Sequence, residues 1–190
     1  MSEVLLLGDS HLARIRGART RHIERETGRR VVNAAVGGAN SLDLARQLNG
    51  HRPADTVVVS VGTNDAAPWK EVPLPRFRRE LTRLLSDLPE ARLIYLTSPG
   101  VDERGPTGPG DRTNAAIQRY SAAAATIFAE HGGTTLDVRF ALSGMSVDVH
   151  EPDGVHLTHR AYERVLTELV QWIGPAPHAG VTGPWTPASP

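Results

Sequence analysis

Short apolar runs recur along the chain at intervals that leave room for a helix between them. The first run, residues 4–7, reads Val-Leu-Leu-Leu and stops at Gly8, which is typical of a strand buried on both faces of a parallel sheet. Later runs are rich in residues that favour strands and are also bounded by polar residues or glycine. The pattern predicts five strands, at residues 4–7, 31–34, 56–61, 93–96 and 134–138.

Between these runs, apolar residues recur every three or four positions, as they do on one face of a helix. Phe77, Leu81, Leu84 and Leu85 show this spacing. Helices are predicted at residues 12–26, 41–48, 76–88, 114–131 and 158–173. Because strand and helix alternate, we predict an α/β fold, a three-layer α/β/α sandwich with a five-stranded parallel sheet. The functional loops of such a fold gather at the carboxyl ends of the strands.

Two stretches depart from this alternation. Residues 98–110 contain three prolines and four glycines, which predicts a mobile loop that could border a substrate cleft. Residues 174–190 are rich in Pro, Gly and small residues, so we expect a tail that is disordered or loosely docked through Trp185. A chain of 190 residues with 39% hydrophobic content closes one core, and we predict one domain over residues 1–173.

Charge and cysteine content narrow the function classes. The 21 basic and 21 acidic side chains cancel, so no net field favours nucleic acid or an anionic membrane as a partner. The absence of cysteine excludes disulfides, thiolate zinc sites and cysteine nucleophiles. Residues 1–7 lack the basic region and apolar length of a signal peptide, and no window reaches transmembrane length, so we expect a cytoplasmic protein.

Ser10 stands where the first predicted strand ends and the first helix begins. Its hydroxyl would lie near the free backbone N–H groups at the amino end of a helix, which suits a nucleophile. Serine and aspartate at this place also commonly cap the helix. From Gly8-Asp9-Ser10 alone, both interpretations stay open.

The loops after the second and third strands carry candidate oxyanion donors. The adjacent Gly37 and Gly38 allow a backbone N–H to point at a ligand oxygen, although such pairs also form ordinary turns. Asn64, after the most hydrophobic strand, can donate an amide N–H to an oxyanion or form an Asx-turn. For Asp65, and for Asp9 beside Ser10, we predict loop bracing and not acid chemistry.

A candidate general base precedes the last helix. A serine hydroxyl needs such a base, usually a histidine that a carboxylate holds in the right tautomer. Asp153 and His156 are three positions apart, so on a tight turn they can face the same side. His150 and His159 lie nearby and raise the alternative of a metal site with His156, but their spacing matches no metal motif and we predict no metal.

Together these segments resemble the SGNH hydrolases, also called the GDSL family of esterases and lipases. The segment ending in Ser10 is similar to the family's nucleophile block, and Gly38 falls at its oxyanion glycine. Asn64 falls at its oxyanion asparagine, and Asp153 with His156 at its final block. The resemblance spans nearly the whole chain before the tail. It implies a flavodoxin-like strand order, a Ser-His-Asp triad, and neither a metal nor an organic cofactor.

The sequence departs from the family pattern around the nucleophile. His11 replaces the leucine of the family name and Arg14 replaces a frequent glycine, so the pocket wall on the first helix is expected to be polar. His11 is interpreted as a pocket residue or a surface residue of the first turn, and Arg14 as solvated. Trp69 either walls the pocket or packs. The Gly-X-Ser-X-Gly elbow of α/β-hydrolases is absent around Ser10.

These observations predict a serine esterase that hydrolyses a small or short-acyl ester, including an acetyl ester, through an acyl-enzyme on Ser10. The oxyanion would be held by the backbone N–H groups of Ser10 and Gly38 and by the Asn64 side chain. An acyltransferase with the same acyl-enzyme is one alternative. A non-catalytic ligand- or carbohydrate-binding module on the same fold is another, because fold alone does not determine function.

Overall fold

The computed structural model describes residues 2–51, 54–104, 111–145 and 148–174. These contain one sheet of five parallel strands in the order β2-β1-β3-β4-β5. The strands are β1 (Glu3–Gly8), β2 (Arg30–Asn33), β3 (Thr56–Ser60), β4 (Arg92–Leu96) and β5 (Thr134–Leu136). The predicted α/β class and flavodoxin-like order are confirmed.

Seven helices cover the two faces of the sheet in the described ranges. They are α1 (Ser10–Ala13), α2 (Ala18–Thr27), α3 (Leu44–Leu48), α4 (Leu74–Ser86), α5 (Asn114–Glu130), α6 (Val138–Leu142) and α7 (His159–Ile173), and a 3-10 turn, Ser41–Asp43, precedes α3. None of the helices within these ranges has the length and apolar character needed to cross a membrane.

Alternating side chains of the central strands define two cores, because successive residues of a strand point to opposite faces. Leu5 and Leu7 belong to the core beneath α3, α4 and α5, and the predicted stripe of α4 is buried there. Val4 and Leu6 belong to the core beneath α1, α2, α6 and α7. Helices cover β1 and β3 on both faces, so the ends of these strands, where the loops begin, are held in place by the two cores.

Two predicted boundaries were wrong. Residues 12–26 form two helices and not one, because the chain leaves α1 at Arg14 and turns at Gly17, whose φ of 60° suits glycine. The strand predicted to reach Val138 ends at Leu136, because Asp137 accepts a hydrogen bond from the Phe140 N–H at 3.1 Å and caps the short helix α6. Side-chain capping therefore overrides strand propensity at this position.

The first part of the loop predicted to be mobile is held in place. The Asn114 side chain accepts from the Val101 N–H and donates to the Val101 carbonyl, both at 2.8 Å. The Asp102 N–H donates to the Gly154 carbonyl at 2.7 Å, which connects this loop to the segment before α7. The predictions for residues 105–110 and for the tail beyond Gly174 lie outside the described residues.

Candidate active site

Ser10 is the first residue of α1, at the carboxyl end of β1. Asp9 caps this helix, because its carboxylate accepts from the His11 N–H at 2.9 Å. Gly8 has a φ of 139° and lies directly against Ser60 of β3, where a side chain would clash with the Ser60 backbone. The capping alternative thus applies to Asp9, and no described residue forms a hydrogen bond with the Ser10 hydroxyl.

The loop after β2 brings Gly38 to the same end of the sheet. The Val36 N–H donates to the Gly8 carbonyl at 3.0 Å, so this loop lies beside the end of β1. Gly38 has a φ of 77°, and its carbonyl accepts from Lys70 Nζ at 2.7 Å. No described residue accepts a hydrogen bond from the backbone N–H of Ser10 or of Gly38, so both donors are available to a ligand.

The Asn64 amide has a defined orientation. Its Nδ2 donates to the Ala39 carbonyl at 2.8 Å, and its Oδ1 accepts from the Arg112 guanidinium at 3.2 Å. A carbonyl can only accept and a guanidinium can only donate, so both neighbours select the same amide orientation. One N–H of the Asn64 side chain is left to donate elsewhere.

Arg112 is the residue of this site that the sequence interpretation missed. Its side chain is only 10% exposed, and its Nε donates to Asp111 at 3.1 Å. The guanidinium carbon lies 5.0 Å from the centroid of the Trp69 ring, so the ring packs against the Arg112 side chain. Trp69 itself is not among the described residues that line the cleft around Ser10. The one indication in the sequence was that Arg112 follows residues 98–110, the loop predicted to border a substrate cleft.

Asp153 and His156 meet on the loop before α7. Asp153 accepts from His156 Nδ1 at 2.5 Å and from the His156 backbone N–H at 2.9 Å. Partial burial opposes ionisation of Asp153, but the hydrogen bonds from His156 and Val155 outweigh it and hold the pKa of the carboxyl well below its ordinary value. The carboxylate therefore orients the imidazole and leaves its Nε2 free.

One cleft of about 570 Å³ contains the five residues predicted to carry the chemistry. Its described lining comprises Ser10, Ala13, Arg14, Arg16, Gly37, Gly38, Asn64, Arg112, Asp153, Val155 and His156. Residues from five separate segments thus converge at the carboxyl ends of the strands. Arg14, which was expected to be solvated, has a side chain that is 37% exposed; it lines this cleft and forms an ion pair with Glu151 at 2.9 Å.

His11 does not lie on the surface, and the described lining of the cleft does not include it. Its side chain is 2% exposed, and its ring centroid lies 6.4 Å from that of His156. Burial, with the nearby cationic groups, lowers the pKa of His11 to about 3, so the ring is neutral at ordinary pH. The expectation of a surface residue was wrong because His11, Leu12 and Ala13 of α1 are all buried, whereas Ser10 lines the cleft.

Two buried carboxyl groups lie beneath the cleft. Asp65 accepts from the Ser41 N–H at 2.9 Å and from the Gly62 N–H at 3.0 Å, so it joins the loops that carry Gly38 and Asn64. Burial raises the pKa of Asp65. Burial also raises the pKa of Asp9 to about 7, although the hydrogen bond from the His11 N–H opposes this rise.

The three late histidines do not form one group of ligand atoms among the described residues. His150 Nε2 contacts the Gly100 carbonyl at 3.2 Å, and His159 lies on α7 near Glu163. Among the described residues, the one group with metal-ligand atoms close together is Glu151, Asp153 and His156, and each of these has the partner given above.

Comparison with known proteins places the chain in a family. The sequence model of the GDSL-like lipase/acylhydrolase family matches residues 6–164. A search of curated proteins gives no match. Among solved structures, a lipase/acylhydrolase from Enterococcus faecalis superposes with a TM-score of 0.80 at 23% identity, over 91% of this chain and 95% of that one.

Another similar structure is Axe2, an acetylxylan esterase from Geobacillus stearothermophilus. Its TM-score is 0.72 at 18% identity, over 91% of this chain and 94% of that one. At such identities the two structures show a shared fold. The match of the family model over most of the chain shows more: this protein belongs to the GDSL-like lipase/acylhydrolase family and is an ester-hydrolysing enzyme.

Proposed function

We propose that the protein is a serine esterase that uses Ser10 as nucleophile, His156 as general base and Asp153 to orient His156. The observation that carries this proposal is that Ser10, His156 and Gly38 line the same cleft. The backbone N–H groups of Ser10 and Gly38 have no acceptor among the described residues. The hydrogen bond between His156 Nδ1 and Asp153 leaves Nε2 as the atom that accepts a proton. These are the parts that acyl transfer from an ester requires.

In the first half of the proposed reaction, His156 Nε2 removes the proton of the Ser10 hydroxyl as its oxygen attacks the ester carbonyl. The negative charge that develops on the carbonyl oxygen is stabilised by the N–H groups of Ser10 and Gly38 and by the Asn64 amide. His156 then gives its proton to the leaving alcohol. The acyl group remains bonded to Ser10 as an ester.

In the second half, His156 removes a proton from water, and the resulting hydroxide attacks the acyl-enzyme. The same donors hold the second oxyanion, and Ser10 leaves with the proton from His156. Asp65 and Asp9 take no part in proton transfer in this scheme. Asp65 joins the two oxyanion loops, and Asp9 begins the helix that presents Ser10.

A short acyl group, such as acetyl, is the proposed substrate class. The support for it is that Axe2, a protein of the same fold, is described as an acetylxylan esterase, and that the cleft of about 570 Å³ has room for such an ester. A series of 4-nitrophenyl esters from acetate to decanoate tests this directly. We expect kcat/KM to be highest for acetate or propionate, and a maximum at eight carbons or more would overturn the short-acyl proposal.

The nucleophile is tested with a fluorophosphonate probe, which labels activated serines. Wild-type protein should be labelled and Ser10→Ala should not, while Ser143→Ala, an exposed serine outside the cleft, should be labelled like wild type. Equal labelling of Ser10→Ala would overturn the assignment.

A second experiment separates a hydrolase from an acyltransferase with the same intermediate. An alcohol or amine acceptor is added, and the amount of acylated acceptor is measured against the amount of free acid.

A further inference from the structure

The oxyanion loop, residues 36–41, presents Gly38 to the cleft. Its turn is closed by one backbone hydrogen bond, from the Ala39 N–H to the Val36 carbonyl, and at 3.2 Å this bond is at the long end of the normal range. Two adjacent glycines, Gly37 and Gly38, form the centre of the turn. Because glycine adopts positive and negative φ about equally, the turn alone does not fix the direction of the Gly38 N–H.

Lys70 is the one described residue that forms a hydrogen bond with the backbone of Gly38. Its Nζ donates to the Gly38 carbonyl at 2.7 Å, and a Cβ added to Gly38 would lie 3.2 Å from the same Nζ. The sequence contains no other lysine. The Lys70 ammonium thus packs directly against Gly38 and holds the peptide group that follows it.

The backbone of Lys70 is itself held in the loop that follows β3. The Lys70 N–H donates to the Ala67 carbonyl at 2.8 Å. Two residues further on, the Val72 N–H donates to the carbonyl of Asp65 at 3.1 Å, and Asp65 is fully buried. The Lys70 side chain, although exposed, therefore begins at a backbone that is attached to the core.

Side chains of the loop after β3 hold the oxyanion loop at two further points. Asn64 donates to the Ala39 carbonyl at 2.8 Å, and Asp65 accepts from the Ser41 N–H at 2.9 Å. Both of these contacts lie beyond the turn. The contact of Lys70 is the one that falls on the turn residue whose N–H is the proposed oxyanion donor.

The two oxyanion donors outside α1 have the same kind of support. The oxygen of the Asn64 amide accepts from the Arg112 guanidinium at 3.2 Å, and the carbonyl of Gly38 accepts from the Lys70 ammonium. Trp69, next to Lys70 in the chain, packs against Arg112. Hydrogen bonds from charged donors are stronger than those from neutral donors. Adjacent residues outside the described lining of the cleft thus support both donors.

We propose that Lys70 is a positioning residue of the oxyanion hole, which holds Gly38 in the conformation that presents its N–H to the substrate. Lys70 acts through Gly38 and not on the reacting atoms. This inference rests on the proposed serine esterase function, in which the Gly38 N–H stabilises the oxyanion. Because that donor is needed only while negative charge develops, loss of Lys70 should lower kcat and leave KM unchanged.

Steady-state hydrolysis of 4-nitrophenyl acetate tests this role. Lys70→Met should lower kcat about three- to tenfold, less than the loss of a complete oxyanion donor, because the Gly38 N–H is still present but less well oriented. KM should stay within about twofold of wild type. Lys70→Arg should regain about half or more of the lost activity, since a guanidinium also donates to a carbonyl. Glu71→Gln removes an exposed charge at the next position and should leave kcat unchanged.

The absence of cysteine from the chain allows chemical rescue at this one position. Lys70→Cys alkylated with 2-bromoethylamine carries an ammonium on a side chain as long as that of lysine, and its kcat should return to within about twofold of wild type. The same variant alkylated with 1-iodopropane carries a methyl group in place of the ammonium and should stay as slow as Lys70→Met. The two forms share one polypeptide and nearly one shape, so a difference between them reports the charged donor and not folding.

Three results would overturn the proposal. They are a wild-type kcat in Lys70→Met, equal recovery with both alkyl groups, and a raised KM at unchanged kcat, which would assign Lys70 to substrate binding. None of them affects the esterase function as long as wild-type protein hydrolyses the ester and Ser10→Ala does not. If wild-type protein neither hydrolyses the ester nor reacts with the fluorophosphonate, the proposed function fails, and this inference fails with it.

Discussion

The two sides of the cleft are built differently. On the oxyanion side, Asn64 is 7% exposed and Asp65 is fully buried, and their hydrogen bonds reach residues more than 20 positions away. On the base side, the Asp153 side chain is 45% exposed and bonds to residues two and three positions ahead. The oxyanion side is therefore part of the core, whereas the hydrogen bonds of Asp153 lie within its own surface turn, which the Asp102 N–H joins to the neighbouring loop through the Gly154 carbonyl.

This difference has a physical meaning for catalysis. Oxyanion donors are effective when they are fixed before charge develops, and burial within long-range hydrogen bonds achieves this. A general base must exchange protons with substrate and water, which favours partial exposure. Substitutions on the base side should thus reduce activity alone, and those on the oxyanion side should reduce both activity and stability.

The largest effect is expected on the base side. Asp153→Asn should lower kcat about 10⁴-fold, because the amide would favour the wrong tautomer of His156. Its thermal midpoint should stay within about 1 °C of wild type, because the Oδ1 of asparagine can still accept from the backbone N–H groups of Val155 and His156. Steady-state kinetics and calorimetry measure the two quantities. Asp148→Asn, an exposed change on the same loop, is the control, and a large drop in the midpoint would contradict the contrast between the two sides.

On the oxyanion side, Asn64→Ala should lower kcat by about two to three orders of magnitude, the cost of one lost oxyanion donor. It should also lower the free energy of unfolding by about 1 kcal/mol, because the hydrogen bond to the Ala39 carbonyl is lost. Ester kinetics and urea denaturation test both effects. Asn49→Ala, at an exposed asparagine, should change neither. Unchanged kinetics would remove Asn64 from the mechanism.

Substitution of Arg112 tests whether this residue, which is not part of the triad, controls the orientation of the Asn64 amide. Arg112→Met should lower kcat about tenfold, or about 1.4 kcal/mol in the barrier, since one of the two neighbours that orient the amide is lost. Arg112→Lys should restore part of that loss, because lysine can still donate to Oδ1. Arg119→Met, on the exposed face of α5, serves as the control. If KM rises and kcat is unchanged, Arg112 acts in substrate binding and not in positioning.

A further effect, on stability and not on catalysis, is a pH dependence from Asp9. An unfolded aspartate ionises near pH 3.8, whereas burial raises the pKa of folded Asp9 to about 7. Between these values folded Asp9 holds a proton that the unfolded chain has lost, so Asp9 contributes a decrease in the free energy of unfolding as pH rises from about 4 to 7. Buried His11, whose pKa is lowered to about 3, contributes a change of the opposite sign, so the contribution of Asp9 is obtained from the difference between two proteins. Asp9→Asn keeps the helix cap, and its free energy of unfolding relative to wild type should rise over this pH range. Urea denaturation at several pH values measures it. The exposed Asp87→Asn should keep the wild-type slope, and an equally steep slope in Asp9→Asn would contradict the assignment.

Local patterns were sufficient for much of the fold and for the position of the site. Apolar runs predicted β1, β3 and β4 because these inner strands are buried along nearly their whole length. The edge strands β2 and β5 are partly exposed, and residues that favour strands predicted them. Once parallel strands are established, residues that follow them must meet at one edge of the sheet, which brings Ser10, Gly38 and Asn64 together. The turn that joins Asp153 to His156 is local too, so its spacing was informative.

The remaining features depend on residues far apart in the chain, and only the tertiary structure decided them. His11 is buried because α1 packs against the sheet and α7, where Tyr162 donates to the His11 carbonyl at 3.2 Å across 151 positions. Arg112 reaches Asn64 across 48 positions, with Trp69 beneath its guanidinium. The sequence alone determined which groups could do chemistry and at which edge of the sheet they lie. Packing determined which groups are buried, which support them and which remain free, because burial and long-range hydrogen bonds exist only once the chain is folded.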